Sequence, residues 1–211
     1  MTGMGLAKDE RHALSDLFEE LGPDEPTLCE GWKTRDLAAH LVVREHRPDA
    51  MPGIVIPALA GYTQRVQDDV AARSWPELVD QVRRGPSRWW PTSPGKVDEL
   101  VNSAEFLVHH EDVRRAQPGW EPRPADPSRD AAVWRLIPRI AKLNLRKSPV
   151  GVLLRTPGGE TASVKSGTPV VTVIGEPVEL LLFIFGRDAV RLEFEGDAAA
   201  IERLKNTPRG L

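Results

Sequence analysis

Apolar positions recur with a helical rhythm over the first two thirds of the chain and with a shorter, strand-like rhythm over much of the last third. Leu6, Ala13, Leu14, Leu17, Phe18 and Leu21 share one helical face, and Gly22-Pro23 stops the run, so a first helix is expected from Leu6 to Leu21. PDEPTLCEGW follows as a proline-rich loop. Thr34 can cap a second helix running to about His46, before Pro48 forbids continuation. A third amphipathic segment covers Ile54 to Arg73, with Tyr62, Val66 and Val70 on one side. Ser74-Trp75-Pro76-Glu77 has the pattern of a capping box with proline near the first turn, which predicts a short helix to Arg84. Trp89-Trp90-Pro91 reads as a loop anchor, and Val97 to Gln117 as one long helix ending before Pro118.

PGWEPRPADPSRD then reads as a linker, with Asp126-Pro127 as cap and first position of a helix to Lys147, bent near Pro138. VGVLLRT, TASVKS and PVVTVIG are β-rich runs, the first two joined through Pro157-Gly158-Gly159. Glu176 to Phe185 reads as a buried helix, AVRLEFEG as a strand with period-two alternation, and Asp197 to Lys205 as a terminal helix. The expected fold class is α+β: a helical bundle with a connecting helix over 1–147, then a small α+β domain over 148–211. So short a second domain has little core of its own, and the two parts are expected to pack on each other.

Composition narrows the partners. A net charge of −3 over 211 residues leaves no broad basic surface, so nucleic acid is not an expected partner. Cys29 is the only cysteine, which excludes an intramolecular disulfide and an all-cysteine metal site and fits a reducing, cytoplasmic setting. The N-terminal residues lack the apolar core of a signal peptide, and the run Leu180 to Phe185 is too short to span a bilayer, so no membrane association is expected.

The long helix carries the candidate chemistry. At about 100° per residue, Asp98, Glu105, His109 and Asp112 fall within about 60° of one another. Val101, Phe106, Val108 and Val113 flank that arc, and Leu100 and Leu107 make the opposite side apolar too, the pattern of a buried helix. Buried charges need partners, and a divalent metal would supply one; a polar stripe facing water is the competing reading. His40, on the second helix beside Leu37 and Arg44, is either a hydrogen-bonded core histidine or a ligand. With Glu105 and His109 it makes a two-histidine, one-carboxylate set that leaves coordination positions open on a zinc-like ion. Asp112, one turn beyond His109, and Asp36, one turn before His40, are placed to orient the imidazoles, although Asp36 serves equally well to favour its helix N-terminus.

Around this set, Arg44 is placed to bind an anionic cofactor or substrate or to pair with a carboxylate such as Asp112, and Arg187, directly after Gly186, is placed to reach the interface between the two parts in the same way. His110 points away from the arc and is expected on the surface or on a second face, while His46 sits at a helix end. Cys29 is either a packed structural cysteine or a thiol activated by the following helix N-terminus. Trp75, Trp89 and Trp90 either line a cavity or pin loops. No nucleophile elbow or phosphate-binding lysine loop is present.

The stretch LCEGWKTRDLAAHLVVRE, followed by EFLVHHEDVRRA, resembles the metal-binding domain of mycothiol-dependent maleylpyruvate isomerases, within the DinB-like four-helix-bundle superfamily, between Leu6 and Pro118. The resemblance implies metal ligands at His40, Glu105 and His109. GEPVELLLFIFGRDAVRLEFEGD resembles that family's small, sterol-carrier-like α+β C-terminal domain. The His109-His110-Glu111-Asp112 run and the Arg44-to-Pro48 segment stand closer to a branch apart from the isomerase itself, which leaves the substrate open. The implied function is a zinc-type, mycothiol-dependent enzyme, an isomerase or S-transferase, in which a metal-bound thiolate attacks an electrophilic small molecule. The competing expectation is a binding or regulatory module braced by its ion without catalysis. Solvent access to the ligands separates the two.

Overall fold

The computed structural model describes residues 5–50, 56–86 and 96–210, with side chains from 102 onward in the last stretch. The expected anchor Trp89-Trp90-Pro91, the start of the third segment at Ile54, and the side chains of Asp98, Leu100 and Val101 lie outside them. Among the described residues the chain is a mixture of helices and one small sheet, divided into two compact units, 1–120 and 121–211.

The first unit is helical. Helix α1 (Leu6–Leu21) buries Leu14 and Phe18, and α2 (Thr34–His46) buries Leu37, Ala38, Leu41 and Val42. A single tight turn at Pro57–Leu59 leads into α3 (Ala60–Ala71), and α4 (Trp75–Arg84) follows. The long helix α5 (Lys96–Arg115) packs along α1, while α4 bridges α1 and α2, and α3 lies against α2. Fully burying a side chain such as Leu14, Phe18, Leu37 or Phe106 contributes about 1.5–3 kcal/mol. Trp75 pins α4 to this core, its ring meeting Phe18 edge-on at 5.6 Å with the Arg35 guanidinium over its face at 5.7 Å. The capping box at Ser74 is not made, because the hydroxyl donates to Glu77 Oε2 at 3.4 Å instead of accepting a backbone N–H.

The second unit begins with α6 (Pro127–Asn144), which runs on through Pro138. Asp126 caps it as its sequence position suggests, its Oδ1 accepting the N–H groups of Ser128 and Arg129 at 2.9 and 3.1 Å. This helix packs on α7 and reaches β2, so the structural division falls at Trp120, ahead of the helix that the sequence attaches to the bundle. Strands β1 (Gly151–Arg155), β2 (Thr161–Lys165), β3 (Val170–Ile174) and β4 (Glu193–Glu195) form one sheet in the order β2-β1-β3-β4. The β1–β2 pair is the expected hairpin, closed where Gly159 takes φ 89° and Thr156 N–H donates to Glu160 O at 2.9 Å. On its other side β1 runs parallel to β3, with Val152 opposite Val171 and Leu154 opposite Val173.

Helix α7 (Pro177–Ile184) is buried along its whole length, and α8 (Ala198–Lys205) lies against β3. The strand expected over AVRLEFEG shrinks to Glu193–Glu195. Its first half is taken out of the ladder by other bonds: Val190 N–H turns back to Asp188 O at 2.9 Å, and Arg191 N–H donates to the buried Glu179 carboxylate at 2.7 Å. Arg187 donates to Phe185 O at 2.7 Å.

Candidate metal centre

The site is assembled within the first unit by two helices and one turn. The turn is built from Cys29-Glu30-Gly31-Trp32, where Gly31 takes φ 76° and Trp32 N–H closes onto Cys29 O at 2.9 Å. Only glycine adopts that conformation without strain, which accounts for the Cys-x-Gly-Trp spacing. Thr27 braces the turn from within, its hydroxyl donating to Trp32 O at 2.9 Å and accepting from Cys29 N–H at 3.2 Å. Leu28 N–H donates to Asp112 O at 3.0 Å, and Gln117 Nε2 donates to Pro26 O at 3.2 Å, so the loop is fastened to the last turns of α5.

His40 from α2 meets Glu105 and His109 from α5. Glu105 Oε1 lies 3.5 Å from His40 Nε2 and 3.2 Å from His109 Nε2, and the two imidazole rings stand edge to face with centroids 5.5 Å apart. One ligand atom from each of the three lies within 4.8 Å of the others. Donors bound tetrahedrally at about 2.0–2.1 Å sit about 3.3–3.4 Å apart, so the separations of 3.2 and 3.5 Å suit a shared cation without rearrangement of the helices. Trp32 lies against His40, ring centroids 5.1 Å apart, and limits how that imidazole can turn.

Access differs sharply across the site. The side chains of His40 and Glu105 keep 18% and 21% of their surface open to solvent, whereas Asp112, behind His109, keeps 0%. Asp112 Oδ2 lies 3.0 Å from His109 Nδ1, the place from which a carboxylate fixes the ring with Nδ1 protonated and Nε2 free to ligate. Cys29 Sγ donates to the same Oδ2 at 3.3 Å and stands 3.9 Å from Nδ1. A second trio of donors, Cys29, His109 and Asp112, therefore sits on the far side of the same ring.

Charges within the set are strongly coupled. Burial pushes the Glu105 carboxyl up, but hydrogen bonds from His109 and His40 and the nearby charges of His109 and Arg44 outweigh it and hold it well below the carboxylate range. Burial likewise pushes His109 down, and its bonds to Asp112, Cys29 and Glu105 outweigh that and hold it well above the usual imidazole value.

Arg44 does not pair with Asp112. Its Nη1 donates to Asn102 Oδ1 at 2.7 Å and its Nε lies 3.5 Å from Glu105 Oε1, so it flanks the open side of the set. Asp36 takes the capping role, accepting Lys33 N–H at 2.9 Å, and is not a partner of His40 among the described bonds. His110 is not a surface residue. It is 6% exposed, with Nδ1 2.7 Å from Glu10 Oε2 on α1, because α5 is covered on that side as well. Asn102, Trp32 and the contact of Cys29 with Asp112 are the parts of the site that sequence reasoning missed. Asn102 follows the same helical face as Glu105 and His109, at i, i+3 and i+7, and that spacing was the available signal.

A mixed fold of a helical unit with a small-sheet unit, carrying a His-Glu-His set on the helices, defines the class of protein to which the chain can be compared. No family model matches the sequence, and no curated protein matches it either. Among solved structures it is similar to a mycothiol-dependent maleylpyruvate isomerase at 17% identity and a TM-score of 0.61, over 90% of both chains. A histidine-to-alanine variant of that isomerase matches at 16% identity with the same TM-score and coverage. At that identity the likeness establishes the fold: the chain has the architecture of the isomerase over nearly its whole length. No helix among the described residues is long and apolar enough to cross a membrane.

Proposed function

We propose that His40, Glu105 and His109 hold a divalent cation, zinc first among candidates, and that the protein is a thiol-dependent enzyme of isomerase or S-transferase type. The fold of the solved isomerase, whose name states its dependence on mycothiol, supports a small thiol as cofactor and a small electrophile as substrate. The helical unit is read as a DinB-like bundle and the second unit as a sterol-carrier-like domain. The observation that carries the proposal is the convergence of two imidazole nitrogens on one carboxylate oxygen, with His40 and Glu105 part-exposed. Ligands open to water favour catalysis over a sealed structural ion.

A divalent cation bound there would supply a thiol or water ligand that loses its proton near neutral pH. The protein's own residues would do the rest. Asp112 holds the His109 ring in one orientation, Trp32 restrains His40, and Arg44 puts a positive charge at the open side, where an anionic group on cofactor or substrate would be received. Elemental analysis tests the ligand set: wild-type protein is expected to carry one divalent ion per chain and His40→Ala none. Equal metal in both would remove this site. A turnover assay on electrophiles with and without mycothiol tests the thiol, and unchanged rates would remove the thiol dependence.

A further inference from the structure

The His109 imidazole has an acid at each of its two nitrogens, and this is where the site does more than hold one ion. On one side Nε2 faces Glu105 Oε1 at 3.2 Å, with His40 beyond it; on the other Nδ1 faces Asp112 Oδ2 at 3.0 Å, with Cys29 Sγ at 3.9 Å. The Sγ–Oδ2 separation is 3.3 Å. For a tetrahedral ion with bonds of about 2.0 Å to N and O and about 2.3 Å to S, neighbouring donors lie about 3.3–3.6 Å apart. The three separations of the Cys29 trio lie within a few tenths of an ångström of that face.

We infer that Cys29 Sγ, His109 Nδ1 and Asp112 Oδ2 form a second cation position, suited to thiophilic ions, on the opposite side of the ring from the first. A neutral imidazole has one lone pair and one proton. With the cation on the Nε2 side, the proton stays on Nδ1 and is held by Asp112. With the cation on the Nδ1 side, the proton sits on Nε2 and is held by Glu105, while the Cys29 thiol proton leaves to solvent as the sulfur ligates. Either arrangement leaves every donor of the ring satisfied. The two positions differ in ligand softness: one offers two imidazoles and a carboxylate, the other a thiolate, the donor that soft ions such as cadmium and copper(I) favour most.

The inference rests on His109 being a ligand in the proposed function, and the test keeps the two apart. Protein freed of metal by a chelator is titrated with cadmium and followed by the ultraviolet thiolate-to-cadmium charge-transfer band. The band is expected to saturate at about one equivalent in wild type and in His40→Ala, and to be absent in Cys29→Ser, with cadmium affinity reduced at least tenfold. Absence of the band in wild type, or its survival in Cys29→Ser, overturns the inference. If Cys29→Ser does not fold by circular dichroism, alkylation of Cys29 in wild type serves instead: cadmium is expected to slow it at least tenfold, and an unchanged rate overturns the inference. Loss of zinc in His40→Ala with no cadmium band in wild type leaves the proposed function standing while this inference falls.

Discussion

In the helical unit, one end of α5 keeps His109, His110, Glu111, Asp112 and Arg115 out of solvent, each within reach of an oppositely charged or hydrogen-bonding group. In the second unit the corresponding buried helix, α7, hides eight residues of which Glu179 is the only charge. The contrast separates what each core is for. Hydrocarbon packing is the least expensive way to stabilise a fold, and replacing buried ion pairs by apolar groups is often neutral or favourable. A core that keeps charge is keeping it for another purpose, and here one of the charges, Asp112, lies directly behind His109 of the His-Glu-His set.

The contrast can be broken at several points. Leu181→Ala in α7, at 0% exposure, is expected to lower stability by about 2–5 kcal/mol in urea unfolding while leaving metal content unchanged. A loss of metal in that variant would mean the second unit is not merely packed. His40→Ala is expected to weaken metal binding more than the roughly 10–100-fold typical of residues behind a ligand, with little change in the urea midpoint of metal-free protein. Glu10→Ala strands His110 in a buried position and is expected to cost about 1–3 kcal/mol, read by thermal melting. Asp112→Asn should weaken metal affinity by roughly 10–100-fold, measured by chelator competition, because the ring loses its charged support.

The smallest effect expected is on pH dependence in metal-free protein. His109 is held well above its ordinary 6.5 in spite of burial, so its contribution to stability is complete below that value and is lost as pH rises through the raised one. Glu105 is held well below its ordinary 4.5, so its contribution is present above that value and is lost as pH falls through the lowered one. Melting temperature with chelator present should therefore decline on the alkaline side, and metal uptake at neutral pH should release a proton, seen by calorimetry in buffers of different ionisation enthalpy. A flat alkaline profile would contradict the coupling of His109 to its two carboxylates.

Much of this was legible in the chain because local punctuation decides helix ends. Gly22 and Gly85 follow α1 and α4, and Asp126-Pro127 opens α6, each where the sequence places it. The convergence of His40 with Glu105 and His109 was legible from period and resemblance together. The parallel pairing of β1 with β3 was not, since strand order depends on contacts far apart in sequence. The short β4 was not either, because the Glu179 side chain claims a backbone N–H that alternation alone assigns to a ladder. Of the two places open to His110, a second helix face is the one it takes, and the clue that decides between them was present: a helix apolar on both sides buries both, and Phe106 and Val113 mark the face that His110 shares.

Glu105 Oε1 is the meeting point of His40, His109 and Arg44, the first and last reaching it from α2 and the second from its own helix. A slip of α2 along α5 by one turn, about 5.4 Å, would part the carboxylate from both α2 groups at once. The chemistry thus acts as a gauge of alignment: the pair of helices that carries the ligands has one setting in which it works.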